Sequence, residues 1–297
     1  MSEAQGVTSP IPIVMRSHNE YALLKQTLEM VAKQTVPYEL HVFDNDSDDG
    51  TSDLLPLYTK HIHRVIKGTY VPGKVLNDAM RKTDQSSPFV VFLNSDCTPL
   101  DEFWLEGLIK GFEEPRVAAV FGRQVPRPDC TPLFAKDTED TFGNGERQQY
   151  WKHCFSMASS AIRRECWEEE PFSDTITYSE DVDWTWKARQ RGWTIKYCKD
   201  SQVYHSHNYT YAQFRKRQRG EGTADAQIFT WTKWERSFLR YSLLPYLRQV
   251  KSDWGYTLSH KEFSSFFYSP ILRFAQLRGR REGFLAALKE TEREHLQ

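Results

Sequence analysis

Apolar residues in the first two hundred positions come in short runs separated by polar stretches, and the runs alternate between two periods. Ile11 to Met15 is a continuous β-rich run that predicts a buried strand. From about Glu20, the spacing of Leu24, Leu28, Val31 and Thr35 predicts a helix with one buried face, capped by Asn19 and ended by Pro37. Leu40 to Phe43 predicts a second strand, and Gly50 with Thr51 reopens a helix after the acidic segment Asp44 to Asp49. Phe89 to Leu93 is the next strand, followed by a Leu- and Phe-rich helix from Asp101. Glu180 to Arg191 predicts a helix, and Trp193 to Tyr197 and Gln202 to His205 predict strands. This order implies an α/β fold with a mostly parallel sheet, helices on both faces and ligands at the carboxyl ends of the strands.

The pattern changes twice. Residues 126–150 carry Pro126, Pro128, Pro132, Gly143 and Gly145 among polar groups, which predicts an inserted loop or lid. Beyond Tyr211 the chain reads as helical, with Trp234, Phe238 and Tyr241 at helical spacing before Pro245. Two regions are therefore expected, 1–210 and 211–297, with no internal repeat.

Composition sharpens that division. The 297 residues hold 39 Lys and Arg against 40 Asp and Glu, but residues 211–297 have 16 basic and 9 acidic side chains, leaving 23 and 31 for the rest. A 39% hydrophobic share excludes a disordered chain, and no apolar run approaches the roughly 18 residues of a spanning helix. Met1 to Ser9 lacks the basic start and apolar centre of a signal peptide, so a cytoplasmic location is expected. The cysteines at 97, 130, 154, 166 and 198 form no C-x-x-C pair, which suggests neither a disulfide framework nor a structural zinc site.

Acidic groups fall at predicted strand ends. Asp44 to Gly50 fails as a calcium loop, because an EF-hand begun at Asp44 needs Gly at 49 and Glu at 55, where Asp49 and Leu55 stand. A solvated turn with a helix cap and a polar strand end facing a nucleobase both fit it. Asp96 ends an apolar strand in Asn94-Ser95-Asp96, where a carboxylate caps the following turn or holds a hard cation bridging a diphosphate. His205 and His207 alternate so that both imidazoles share one face, although packed or surface histidines are the commoner case. Glu180-Asp181 opens a helix carrying Trp184 and serves either the helix dipole or, as a general base, a substrate hydroxyl. Lys74 after Gly73 is a candidate for phosphate charge, with Arg81 second. No G-x-x-x-x-G-K-[ST] or G-x-G-x-x-G follows a strand, which argues against triphosphate hydrolysis and dinucleotide binding.

In this order the motifs resemble glycosyltransferase family 2, inverting enzymes with a GT-A fold. Ile13 to Glu20 is similar to the opening strand and Asn-Glu motif, and Phe43 to Thr51 to the acidic nucleotide-base segment. Gly73 to Ala79 is similar to the Gly…Asn stretch, and Phe92 to Asp96 occupies the place of the metal-binding D-x-D. Ser179 to Trp184 resembles the segment that supplies the base, and Val203-Tyr204-His205 the late metal-side histidine. Two positions depart from the family. Asn94 replaces the first D-x-D acid, and Asp44-Asn45 stands for the double Asp, so the uracil preference does not carry over directly. The Asp-Asn pair and Val203 to Thr210 look most like the rhamnosyltransferase branch, whose usual donor is dTDP-rhamnose.

The resemblance implies a GT-A catalytic domain over 1–210 that moves a sugar from a nucleotide-diphosphate donor to an acceptor hydroxyl of a glycan, glycolipid or other metabolite. It implies Asp181 as general base and a divalent cation, manganese or magnesium, on Asp96 and His205. Arg16, Asn19, Glu20, Asp44, Asn45, Gly73, Lys74, Asn94, Ser95 and Asp96 are implied to line the donor, with Glu180, Trp184 and His207 toward the acceptor. The basic, aromatic region 211–297 serves the acceptor side, a second copy of the chain or an anionic membrane at the inner face, against ordinary packing of Trp231, Trp234 and Phe238 on the catalytic domain. No nucleic-acid reading motif accompanies it. A nucleotide-sugar nucleotidyltransferase would need a Gly-rich basic loop where Arg16 to Glu20 stands, and a non-catalytic carbohydrate- or partner-binding relative would lack Asp96, Asp181 or His205.

Overall fold

In the computed structural model, residues 9–148 and 154–294 are described. The segment expected to lack a signal peptide, the last two residues of the expected lid and the extreme C-terminus therefore lie outside the described residues. The rest falls into two compact units, one built from residues through Val125, Thr141–Thr175 and Glu180–His205, the other from Pro126–Asp140, Ile176–Ser179 and the residues from Ser206 onward.

The first unit is a GT-A fold around an eight-stranded sheet. Its strands are β1 (Ile11–Ser17), β2 (Tyr38–Asp44), β3 (His61–Arg64), β4 (Phe89–Asn94), β5 (Thr98–Pro99), β6 (Val117–Val125), β7 (Ser159–Arg163) and β8 (Thr194–Tyr204), in the order β3-β2-β1-β4-β7-β6-β8-β5. β1, β2, β3 and β4 run parallel, β7 is antiparallel to β4 and β6, and β8 is parallel to β6. The expected strands at 193–197 and 202–205 are one strand, β8, with a register shift where Gly122 and Arg123 of β6 face Cys198 and Gln202.

Alternation along β1 explains why the sheet is covered on both sides. Ile11, Ile13 and Met15 pack with Leu24 and Leu28 of α1 (Tyr21–Val31) and with Trp104, Leu105 and Leu108. Val14 joins Val90 and Phe92 on the opposite face, against Leu76 and Met80 of α3 (Pro72–Lys82). A strand buried on both faces reads as an unbroken apolar run. Each such Leu or Ile contributes about 1.5–3 kcal/mol by burial.

The entry to α1 corrects an expectation. Asn19 takes a left-handed conformation (φ 50°), and Glu20 stands at the cap position without a side-chain capping bond. Asp49 takes over that role from the acidic segment, accepting from the Tyr21 backbone N–H (2.9 Å) and from that of Thr51 (3.1 Å), which opens the short helix α2 (Thr51–Leu54). α1 also stops at Val31, well before Pro37, where Gln34 Nε2 donates to the Met30 carbonyl (3.2 Å) and that of Asp101 (2.8 Å). α4 (Trp104–Ile109) and α6 (Arg164–Glu169) add to the cover.

The expected loop at 126–150 contains a helix, α5 (Pro132–Thr141). Proline at its first turn needs no N–H partner. The helix expected over Glu180 to Arg191 is α7 (Glu180–Gln190).

In the second unit, α8 (Tyr211–Ile228), α9 (Leu244–His260) and α10 (Phe263–Glu294) form the C-terminal helical extension, with a π-helical turn over Phe238–Leu243. Thr210 and Gln213 form a capping box at the start of α8. Trp231 packs inside this unit, edge-on to Tyr241 and Phe284 at 5.4 Å, while Trp234 is 62% exposed. Arg273 is buried between Asp253 (2.6 Å) and Asp137 (2.8 Å), a satisfied ion cluster. Among the described residues, no helix is long and apolar enough to cross a membrane.

Candidate active site

The carboxyl ends of β1, β2 and β4 bring polar residues together, as the βα order requires. Arg16 of β1 donates to Glu180 Oε1 (3.1 Å) in the first turn of α7 and to Asn94 Oδ1 (3.0 Å) at the end of β4. Burial works against its charge, but Tyr70 and Glu180 hold it more firmly protonated than usual. Ser95 donates to Glu20 Oε2 at 2.5 Å. Asn94, at the position of the first D-x-D acid, thus accepts a hydrogen bond from Arg16.

The base of β2 is partly structural. Both Asp44 oxygens accept from Ser47, Oδ1 from its hydroxyl (2.6 Å) and Oδ2 from its N–H (3.0 Å). Asn45 Oδ1 and Ser17 Oγ are shielded from solvent and make no hydrogen bond. Unpaired buried acceptors of this kind cost about 1–3 kcal/mol, which a ligand N–H would offset. Asn19 Oδ1 accepts from the Asp48 N–H (2.8 Å) and so shapes the same loop.

Gly73 and Lys74 part company in the structure. A Cβ at Gly73 would lie 1.9 Å from the Ser173 carbonyl oxygen, so the glycine permits close backbone packing. Lys74 is exposed in the first turn of α3. Trp184 is fully buried, its ring 5.3 Å from Phe172 and its indole N–H on the Glu170 carbonyl (2.6 Å), so it presents no surface to an acceptor. His207 belongs to the second unit, with its ring 5.3 Å from Tyr209.

Asp96 and His205 meet. His205 Nε2 stands 3.4 Å from Asp96 Oδ2, and with Cys97 their ligand atoms lie within 4.8 Å of one another. Gln124 Oε1 lies 2.6 Å from His205 Nδ1, while Gln124 Nε2 donates to Ser156 Oγ (2.8 Å). With the amide nitrogen of Gln124 on Ser156, its oxygen faces His205 Nδ1, an arrangement that would leave Nε2, the nitrogen nearer Asp96, free to bind an ion when Nδ1 carries the proton. A carboxylate oxygen and an imidazole nitrogen, oriented by a neighbouring amide, fit a divalent cation such as manganese or magnesium that keeps room for phosphate oxygens and water.

The next residue, Met157, holds Asp181 through its backbone. Its N–H donates to Asp181 Oδ2 (3.0 Å), and the Val182 N–H donates to Oδ1 (2.9 Å). Burial, with the nearby charge of Glu180, nevertheless pushes the Asp181 carboxyl up to about 7. A carboxylate poised there suits a general base at neutral pH. Gln124, Ser156 and Met157 were not legible as site residues, because each acts through a neighbour and carries no chemistry-bearing signature of its own.

Comparison with known proteins accords with this fold. The O-antigen chain rhamnosyltransferase WbaN of Salmonella anatum is 31% identical over 232 residues, 70% of this chain and 73% of that protein. The O-antigen chain rhamnosyltransferase RfbN of Salmonella typhimurium is 29% identical over 216 residues, 67% of each. Among solved structures, a mannosyltransferase from Pyrobaculum calidifontis, in complex with GDP-Man and Mn2+, aligns with a TM-score of 0.61 at 17% identity, over 96% of this chain and 88% of that one. Residues 13–169 match the glycosyl transferase family 2 profile, and the chain belongs to that family of glycosyltransferases.

Proposed function

We propose that the protein transfers rhamnose from dTDP-rhamnose to a hydroxyl of a glycan or lipid-linked glycan, by direct displacement with inversion. The observation that carries the mechanism is the pairing of an oriented Asp96–His205 group with a partly buried Asp181, both held by the adjacent residues Ser156 and Met157. Asp96 and His205 would hold a divalent cation, which would supply positive charge against the leaving diphosphate. Asp181 accepts the proton of the acceptor hydroxyl as that oxygen attacks the anomeric carbon from the face opposite the diphosphate. Asn45 and Ser17 receive the base or ribose, Arg16 holds Glu180 and Asn94 in place, and Lys74 adds charge on the phosphate side. The rhamnosyl donor is supported by the two rhamnosyltransferase relatives.

Contact with an anionic membrane through the C-terminal helices is part of the same proposal. Leu247, Trp254 and Leu258 form an exposed stripe on α9, and Phe263, Phe267, Ile271 and Phe274 one on α10, with Phe267 76% exposed. Arg248, Lys251 and Lys261 are exposed on or beside α9, a composition suited to an anionic interface. Flotation with anionic vesicles tests it, with removal of the stripe by Phe263→Ser and Phe267→Ser as control. Self-association in solution without flotation would assign the stripes to a second copy of the chain.

The donor is tested by a thermal-shift panel of nucleotide-sugars with manganese. A donor at 100 times its dissociation constant adds about 2.7 kcal/mol of stability. dTDP-rhamnose is expected to give the largest shift, and a larger response to a UDP- or GDP-sugar would remove the rhamnosyl reading.

A further inference from the structure

A second group of ligand-type side chains lies at the sheet edge, toward the amino end of β2, whereas Asp44 closes its carboxyl end. Strand alternation places Glu39, His41 and Phe43 on one face of β2, while Leu40 and Val42 enter the core on the other. Parallel register sets His41 beside His61 and Phe43 beside His63 of the edge strand β3.

The geometry there is unlike that of an ordinary polar edge. His41 Nε2 lies 3.1 Å from Glu39 Oε2, and His61 Nε2 lies 2.9 Å from Glu39 Oε1. The ligand atoms of all three residues fall within 4.8 Å of one another. Ligand atoms sharing a tetrahedral zinc, with bonds of about 2.0–2.1 Å, stand about 3.3 Å apart, a spacing these three side chains reach with small adjustments from their two contacts to separate Glu39 oxygens. His61 Nε2 is shielded from solvent and, despite its short distance to Glu39, makes no hydrogen bond.

The surrounding groups hold the imidazoles in place. His41 is stacked on His61, with ring centres 4.5 Å apart, and its Nδ1 lies 3.3 Å from His63 Nε2. His63 Nε2 is placed to accept the Nδ1 proton of His41, which would free the Nε2 lone pair for an ion shared with Glu39, the orienting contact that metal-bound histidines use. His63 is in turn stacked on Phe43 at 4.5 Å. Glu39 is partly exposed, so an ion has a path to the site.

We propose that Glu39, His41 and His61 form a binding site for zinc or a similar imidazole-preferring divalent ion, which ties the edge strand β3 to β2 and is separate from the sugar-transfer centre. Two imidazoles and one carboxylate favour zinc, cobalt or nickel over magnesium or calcium, and leave one position for water. The four-residue β3 has a single neighbour in the sheet, so a cross-strand ion adds a tie that packing alone does not provide.

Zinc binding by the full chain, measured by equilibrium dialysis with metal analysis, tests this with four proteins. Wild type and Asp96→Asn are expected to retain one zinc at micromolar concentration and to melt higher with zinc. His61→Gln and Glu39→Gln should bind it at least tenfold more weakly, lose the zinc-dependent melting shift, and keep wild-type sugar transfer with manganese. Two such variants guard against one failing to fold. Absence of zinc binding by wild type, unchanged binding in both edge variants, or its loss in Asp96→Asn alone would overturn the proposal.

Discussion

Gln124 Oε1 lies 2.6 Å from His205 Nδ1, on the side of the imidazole away from the Nε2 that faces Asp96. Gln124→Ala should therefore weaken manganese activation by about 10–100-fold, the usual effect of losing an orienting partner. The fold should persist and excess manganese should restore part of the rate. A manganese titration of transfer checks this, with Gln124→Glu, which keeps an acceptor for Nδ1–H, expected to fall between.

Asp181→Asn keeps the shape of the side chain but cannot accept the acceptor's proton. Turnover should fall by about 10²-fold or more, in the range of general-base contributions. Donor affinity, read by thermal shift, should stay within about twofold. Near-normal turnover would remove Asp181 from this role.

The pH profile follows from the same carboxyl. Its acidity is displaced upward to about 7, chiefly by burial and then by Glu180, so the base form is lost as pH falls through that value. kcat/KM should be level above about pH 7.5 and drop tenfold per unit below about 6.5. Arg16 opposes the displacement, so Arg16→Gln should move the acidic limb to higher pH. The sign for stability runs the same way. A raised carboxyl favours the folded state while protonated, so this group's contribution is complete below its unfolded range near 4 and disappears as pH rises through about 7. Asp181→Asn should accordingly melt no lower than wild type at pH 8.

Gly73→Ala tests close packing apart from chemistry. With its Cβ 1.9 Å from the Ser173 carbonyl, the variant must shift backbone and should lose about 1–3 kcal/mol. Chemical denaturation measures this directly.

The sequence disclosed the parts of the fold where one residue type dominates a period. β1 and β4 are apolar runs, and α1 repeats Leu24, Leu28 and Val31. β3, β6 and β7 are absent from the expectation. His-Ile-His-Arg and Ser-Ser-Ala-Ile-Arg lack that signature, their strand state being set by neighbours, whereas the run Val117 to Phe121 of β6 carries it and is passed over. The same limit applies to the site. Asp96, His205 and Asp181 carry chemistry in their side chains and stand at element ends, so order along the chain brought them forward. Trp184 resembled a site residue only through proximity in sequence, since helical rotation turns it into the core. The capping of α1 by Asp49 joins residues 28 positions apart, which local reading replaced with the nearer Asn19.

The most direct test is NMR of the product formed from dTDP-rhamnose and a glycan acceptor with manganese. A new rhamnosyl linkage whose anomeric configuration is opposite to that of the donor, absent with Asp181→Asn and lost on chelation, is expected. Retained configuration, or full transfer by Asp181→Asn, would contradict single displacement with Asp181 as base.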